Sequence, residues 1–237
     1  MIDTHCHLLP ALDDGPRDLD GALALARQLV DAGVSTVICT PHFSRRYPTT
    51  PSAARTRLIE LRGALFEAAI PLKLRLAAEV SPAFVASAPG DELLARSIGG
   101  FLLLELVSDT PAPFIATAVE RLAQEGLRPI FGHPERCVAA RSQPRLLDEA
   151  RAEGALVQVV ASSLTGRFGS ETEEAAWRLL EAGSVDLLAS DAHRPRPEGT
   201  HFERAVALVA ERLGVAALDE LTERAPAQIL GASAQPA

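Results

Sequence analysis

The chain is short of cysteine, of positive charge and of long apolar runs, and each shortage narrows what it can do. Its three cysteines, Cys6, Cys39 and Cys137, are odd in number and far apart, which argues against a disulfide scaffold and against a paired-cysteine structural zinc site. That usage fits a reducing compartment, and the protein is read as cytoplasmic. Lysine and arginine number 23 against 31 acids, a formal net charge of -8, so a general binder of nucleic acid or of anionic membrane is not expected. An anionic substrate stays open, because bound divalent cations invert a local field. No signal peptide precedes the first strand and the apolar runs are too short to cross a bilayer, so no membrane insertion is expected. No linker rich in Gly, Ser or Pro divides the sequence, and residues 1–237 read as one domain. With 47% hydrophobic and 23% charged residues, that is enough ordinary globular chain to bury the core of an α/β barrel.

What is present begins at once. Residues 1–4 read as a short strand running into His5-Cys6-His7, and at period two Asp3, His5 and His7 point to one face. Two histidines on one side of a strand end can hold a metal ion once further ligands arrive from elsewhere. More strands are expected over 34–40, 72–78, 100–104, 128–131, 155–160 and 185–189. Helices are expected over about 18–32, 53–69, 111–124, 143–153 and 171–182, with a surface loop over 45–52 and two or three helices from His201 onward. Four of the helices stop at a glycine placed before a strand: Gly33, Gly126, Gly154 and Gly183. The β-branched, nearly all-apolar 34–40 strand suits a parallel sheet buried on both faces. Strand ends recur every 26 to 37 residues, the span of one βα step, and seven such units suit a closed or nearly closed barrel. A doubly wound sheet is the alternative, but it would not naturally gather residues from six strand ends around one centre.

Five of the six histidines, His5, His7, His42, His133 and His193, fall at these C-terminal strand ends, together with Asp14, Glu79, Glu105 and Asp191. In a barrel those ends meet at one mouth. Nine His and carboxylate side chains are too many for one ion and suit two or three hard or borderline divalent metals. Taken singly, each histidine has a plainer explanation as a hydrogen-bonded strand-end residue, and Asp3 one as a hydrogen bond in the barrel floor. Glu105, following Phe101-Leu102-Leu103-Leu104, would be a buried charge costing roughly several kcal/mol unless a cation met it. Arg136, just past His133, has the fork to hold two phosphoryl oxygens, against a plainer loop ion pair with Glu135 or exposure to solvent. Arg194 and Arg196 are weaker candidates for the same work and read more readily as rim charges, and His201 reads as a surface residue at a helix start ahead of a supporting role behind the ligands. Nucleophilic chemistry is set aside: no arginine cradle follows Cys6 or Cys137 at the right separation, and Ser162, Ser163 and Ser190 lack a G-x-S-x-G elbow.

The motifs Asp3-Thr4-His5-Cys6-His7, Asp13-Asp14-Gly15-Pro16, Thr40-Pro41-His42, Ala78-Glu79, Leu104-Glu105, His133-Pro134-Glu135-Arg136 and Ser190-Asp191-Ala192-His193 run in order from end to end. They resemble the polymerase-and-histidinol-phosphatase (PHP) superfamily. More narrowly, they resemble its bacterial manganese-dependent protein-tyrosine phosphatases associated with capsule and exopolysaccharide synthesis; Ser162-Ser163-Leu164-Thr165-Gly166 and the Ala225-Pro226 helix fit as well. The resemblance implies a single PHP-type metallophosphatase domain, an α/β fold with a distorted TIM-like (β/α)7 barrel. It implies three divalent ions, manganese first, with iron, cobalt, zinc or magnesium as other occupants. One ion would sit on His5, His7, Glu79 and Asp191, a second on Glu79, Glu105 and His133, and a third on Asp14, His42 and His193. Arg136 would hold phosphate, so Arg136, His42, Asp191 and His193 would carry the catalysis. The implied substrate is phosphotyrosine on the tail of a bacterial polysaccharide-assembly tyrosine kinase. Two departures touch substrate shape and leave the ligands alone: Cys137 stands where many members have an aromatic residue, and Val160 replaces a commonly polar one.

The chemistry expected of such a set is hydrolysis of a phosphomonoester by water activated by divalent cations, with Arg136 helping to stabilise charge on the nonbridging oxygens. An aryl ester needs little general-acid help, since phenol leaves with a pKa of about 10. Phe43, Tyr47 and Phe84 are the candidates to flank an aryl ring. The rivals are a phosphatase for histidinol phosphate or another small phosphomonoester on the same barrel, a metal-dependent C–N hydrolase, whose usual carboxylated lysine is not apparent, and a non-catalytic metal-bearing regulatory domain.

Overall fold

The first strand, β1 (Ile2–Cys6), is buried along its whole length and pairs in parallel with β2 (Thr36–Cys39). The crossover between them is α1 (Leu19–Asp31), started by Asp18, whose carboxylate accepts from the Gly21 N–H. The computed structural model describes residues 1–232 and repeats this step around a ring. In chain order there follow β3 (His42–Phe43), α2 (Pro51–Glu67), β4 (Lys73–Leu76), β5 (Glu79–Val80), α3 (Pro82–Val85), α4 (Gly90–Leu94) and β6 (Phe101–Glu105). Next come α5 (Ala112–Gln124), β7 (Arg128–Gly132), α6 (Val138–Ser142), α7 (Arg145–Ala152), β8 (Leu156–Val160), α8 (Ala161–Leu164), α9 (Ser170–Glu181) and β9 (Leu187–Ala189). The chain closes with α10 (His201–Leu213), α11 (Val215–Asp219) and α12 (Ala225–Ala232). Among the described residues no helix is long and apolar enough to cross a membrane.

Every strand pairing is parallel, in the orders β1-β2-β4 and β3-β5-β6-β7-β8-β9. The expected 34–40 strand ends early and restarts as β3, because Pro41 has no N–H to give the ladder. The expected 72–78 strand likewise splits into β4 and β5, so Glu79 lies inside a strand segment. With β2/β3 and β4/β5 each counted as one broken strand, the ring has seven units. It is bridged where β1 meets the chain after β9: Asp191 N donates to His5 O at 2.9 Å and His7 N to Ala192 O at 3.0 Å. This is the distorted (β/α)7 barrel the sequence implied.

Alternation along each strand separates two cores. Outward side chains such as Val37, Leu102, Leu104, Val157 and Leu188 pack under the helices. Inward ones, Ile38, Ala77, Phe101, Leu103, Ile130 and Leu187, fill the ring and are closed off by Ile229 of α12. Burying each such Leu or Ile contributes roughly 1.5–3 kcal/mol. All four expected helix-stop glycines take left-handed backbone, with φ of +88° at Gly33, +69° at Gly126, +92° at Gly154 and +68° at Gly183. The expected 143–153 helix is entered through Pro144, which separates α6 from α7. The short α3, α4 and α8 were not anticipated, since one turn is too little to display a 3.6-residue period.

Candidate metal centre

At the C-terminal mouth of the ring, His5 and His7 are fully buried. His5 Nδ1 lies 2.8 Å from Gln158 Oε1 on β8, whose amide nitrogen donates to Thr4 Oγ1. An amide oxygen only accepts, so Nδ1 carries the proton and Nε2 keeps its lone pair. His7 is set the same way, its Nδ1 donating to Asp13 Oδ2 at 2.7 Å. The two Nε2 atoms then face each other at 3.2 Å, with Glu79 Oε2 3.4 Å from each and Asp191 Oδ1 at 3.4 and 3.5 Å. Four acceptors converging on one point repel each other unless a cation or additional protons sit among them.

The rest of the nest repeats that logic. His133 Nδ1 donates to Leu106 O at 3.2 Å, which turns Nε2 toward Glu79 Oε1 at 2.8 Å. His193 Nδ1 donates to Asp191 O at 3.0 Å and leaves Nε2 3.3 Å from Asp14 Oδ1. His42 spans the two halves, with Nε2 3.5 Å from Asp14 Oδ1 and Nδ1 2.9 Å from Glu79 Oε2 and 3.6 Å from Glu105 Oε1. Asp14 Oδ1, His42 Nδ1 and Glu79 Oε2 are buried without a well-directed hydrogen bond. The nine expected ligands thus lie together, in four overlapping groups whose ligand atoms fall within 4.8 Å of one another: His7, Asp14, His42 and His193; His5, Glu79 and His133; His5, His7 and Asp191; His42, Glu79 and Glu105. The donor set, three orphaned buried atoms included, fits hard or borderline divalent ions.

The fold holds this nest against its own preferences. His133 and Asp191 adopt left-handed backbone, φ 40° and 49°, at a cost of about 1–2 kcal/mol each for non-glycine residues. Asp3 stabilises the second of these loops by accepting from the N–H and the hydroxyl of Ser190, the floor role expected of it. Burial pushes the Glu79 and Asp191 carboxyls up, yet His5 and His42 around the one, and His5 and His7 around the other, hold both well below the usual range. The bond from His193 brings Asp14 down to about 2. Glu105 goes the other way, raised by burial and by the charge of Glu79. Burial would lower His7, but Asp13, Asp191 and Glu79 raise it well above its ordinary value. Protons on the histidines balance the acids of the nest; divalent ions do so with the histidines neutral.

These residues floor a cavity of about 560 Å³. Arg136 reaches into it, with Nη1 donating to Asp191 Oδ2 at 3.2 Å and the guanidinium lying 4.3 Å over the Phe168 ring. Its plainer pairing with Glu135 does not form: Glu135 is fully buried and accepts from Val160 N at 3.2 Å. Of the three aromatic candidates only Tyr47 lines the cavity, stacked on His42 at 5.4 Å. Phe43 and Phe84 instead pack edge to face at 4.3 Å beneath Arg96, outside the lining. His201 is also corrected. Thr200 caps α10 at the cavity wall, so His201 lines the cavity with Nδ1 2.7 Å from Thr165 Oγ1 and Nε2 buried, where a surface position was expected. Two orienting residues were missed. Asp13 had the signal of standing beside Asp14 in an acidic turn, and Gln158 that of a lone polar side chain in the apolar segment Leu156–Val160.

The sequence model of a family described as capsular polysaccharide synthesis, CpsB/CapC, matches residues 1–231. The chain is 32% identical over 232 residues to the tyrosine-protein phosphatase YwqE of Bacillus subtilis (strain 168), covering 95% of this chain and 90% of that one. It superposes with a TM-score of 0.82 and 30% identity on a structure solved in work on YwqE from Bacillus subtilis and CpsB from Streptococcus pneumoniae, described as unique metal-dependent tyrosine phosphatases, over 98% of this chain and 95% of that one. The lactonase Lmo2620 from Listeria monocytogenes shares the fold alone, at 11% identity and a TM-score of 0.61 over 97% and 94% of the two chains.

Proposed function

The chain belongs to the capsular polysaccharide synthesis family CpsB/CapC, and from that premise we propose that it is a metal-dependent phosphatase that hydrolyses phosphotyrosine on proteins, its partner being a bacterial polysaccharide-assembly tyrosine kinase. The observation that carries the metal dependence is the convergence of the His5 and His7 lone pairs, 3.2 Å apart, on Glu79 and Asp191. Hydrogen bonds from outside fix both tautomers, so the nest is built to present acceptors. The tyrosine-phosphatase reading is supported by the YwqE relative and by the solved structure described as a metal-dependent tyrosine phosphatase.

In this reading His5, His7, Glu79 and Asp191 hold one ion, Glu79, Glu105 and His133 a second, and Asp14, His42 and His193 a third. Manganese is the proposed occupant of all three. Bound divalent ions supply neutralised charge and a depressed water pKa. The chain's own residues do the rest. Arg136, steadied by Asp191 and by the Phe168 face, offers its remaining N–H groups to nonbridging phosphoryl oxygens, which gather charge as the ester bond breaks. Tyr47, stacked on His42, supplies an apolar edge for the substrate ring. The phenolate leaves with a pKa of about 10, so no side chain need donate a strong proton to it. His42, Asp191 and His193 act by holding the ions and, through Asp191, by orienting Arg136.

The test is phosphate release by metal-stripped protein, with manganese restored, from a phosphotyrosine peptide, histidinol phosphate and a serine phosphopeptide. Metal-dependent turnover of the first well above the other two is expected. Preference for histidinol phosphate would move the enzyme to small phosphomonoesters. Metal uptake with no turnover of any of the three would overturn the catalytic reading in favour of a regulatory domain.

A further inference from the structure

The cavity carries more positive charge than the phosphoryl chemistry uses. Arg46, Arg167, Arg194 and Arg196 line it beside Arg136, in a chain whose net charge is -8. Among the described residues Arg167 has no carboxylate partner, and its guanidinium lies 5.8 Å from the same Phe168 ring that Arg136 covers. Among the described residues the one acid paired with Arg196 is Glu198, 3.3 Å away and 67% exposed, a screened pair of little strength. Burial, then Arg196 and Arg136, lower the Arg167 pKa, and after burial the same Arg196 and Arg167 lower His201. Arg167 therefore feels two like charges across this wall, opposed by Asp191, which Arg136 already pairs at 3.2 Å.

Arg167 and Arg196 are each carried on backbone that is tied down. Gln28, on α1, grips Arg196 from two sides: its Oε1 accepts from Arg196 N at 3.0 Å and its Nε2 donates to Arg196 O at 2.5 Å. The loop bearing Arg167 is fastened by Arg167 N to Ser162 O at 3.1 Å and by Gly169 N to Gly166 O at 3.2 Å, and it turns at Gly166, where φ is +78°. Anchoring two like charges near each other raises their mutual repulsion, and a bound anion relieves it.

We infer that Arg167 and Arg196 form a second anion subsite beside the reacting phosphoryl group, which takes a negatively charged side chain of the substrate flanking the phosphotyrosine. This rests on the phosphotyrosine-phosphatase reading and deepens it: the substrate is an acidic segment of chain. The shared chemistry is a pair of anionic oxygens matched to a guanidinium fork, which a glutamate carboxylate or a second phosphotyrosine supplies equally.

The experiment compares four substrates on the manganese-loaded full chain: p-nitrophenyl phosphate, and phosphotyrosine peptides with neutral flanks, with glutamate flanks, and with a second phosphotyrosine. The wild type is expected to favour the charged peptides roughly three- to tenfold in kcat/KM, chiefly through KM, with the advantage shrinking as salt screens the arginines. The double variant R167Q/R196Q should lose that advantage while keeping p-nitrophenyl phosphate and the neutral peptide within about twofold. Gln28→Ala, which touches no substrate, should lose part of it. A gain limited to one charged peptide supports the subsite and identifies its ligand as carboxylate or as phosphate. Equal wild-type rates on neutral and charged peptides, or equal losses on all four substrates in the double variant, would overturn the subsite. A wild type inert toward all four would instead overturn the phosphatase reading beneath it.

Discussion

At the floor of the ring the inward side chains are Ile38, Ala77, Phe101, Leu103, Ile130 and Leu187 under Ile229; at the mouth they are histidines and carboxylates with orphaned atoms and left-handed backbone. A single strand shows both characters, for Phe101, Leu103 and Glu105 follow each other at period two along β6. The floor contributes stability outright, through apolar area removed from water. The mouth has convergent acceptors and a buried Glu79 that four histidines surround, so its contribution depends on what positive charge fills it. The two ends should therefore separate cleanly: damage to the floor should appear in the unfolding of metal-free protein, and damage to the mouth in what metal adds.

Glu79→Gln gives the largest effect expected. Glu79 lies within 3.4 Å of His5, His7, His42 and His133, so its carboxylate ties several parts of the nest together. Activity should fall by about a thousandfold or more, some 4 kcal/mol of transition-state stabilisation. Calorimetry should also show the Tm gain on adding manganese to stripped protein largely abolished, because that gain is binding free energy added to the folded state. An undiminished manganese gain in Tm would place the ions elsewhere.

Ile38→Ala is the opposite case and the next in size. Ile38 is 1% exposed in the inner core, and truncation should cost about 2–5 kcal/mol. For a domain of this length that lowers Tm by roughly 5–15 °C. The manganese increment and the kcat of the folded protein should survive. If the increment were lost together with the Tm, floor and mouth would be one cooperative unit and the comparison would fail.

How far each end could be read in advance follows from what a sequence records. Residues at strand ends are legible, because a βα repeat turns distant positions such as His5, Glu79 and Asp191 into neighbours; His5 and Asp191 indeed share a backbone bond. Helix stops are legible too, since Gly33 and Gly183 take a backbone that side chains resist. The direction in which a loop side chain points is not. Phe43, Tyr47 and Phe84 look alike as aromatic candidates, and only the placement of Arg96 over Phe43, and of Tyr47 on His42, tells them apart. His201 was misjudged for a related reason: a helix start reads as surface until the cavity it borders is known. Gln158 illustrates a third limit, for its partners Thr4 and His5 lie more than 150 residues away.

The smallest expected effect is the sharpest test of the mouth, because it replaces no proposed ligand and acts only on how one of them is oriented. Asp13 Oδ2 accepts from His7 Nδ1 at 2.7 Å and from His42 N at 2.8 Å, while Oδ1 accepts from Gly15 N at 2.9 Å. Asparagine at this position keeps the shape but leaves one oxygen to serve three donors, and its amide group can only donate. The cheapest repair is for His7 to move its proton from Nδ1 to Nε2, which points a hydrogen into the nest where a lone pair stood. Asp13→Asn should therefore weaken manganese binding by about tenfold, or 1.4 kcal/mol, in calorimetric titration. Because the ligands themselves survive, excess manganese should restore most of the activity, which it should not do for Glu79→Gln. Unchanged affinity in Asp13→Asn would mean that the His7 tautomer is not set from outside, and the lone-pair argument for the whole centre would lose its footing.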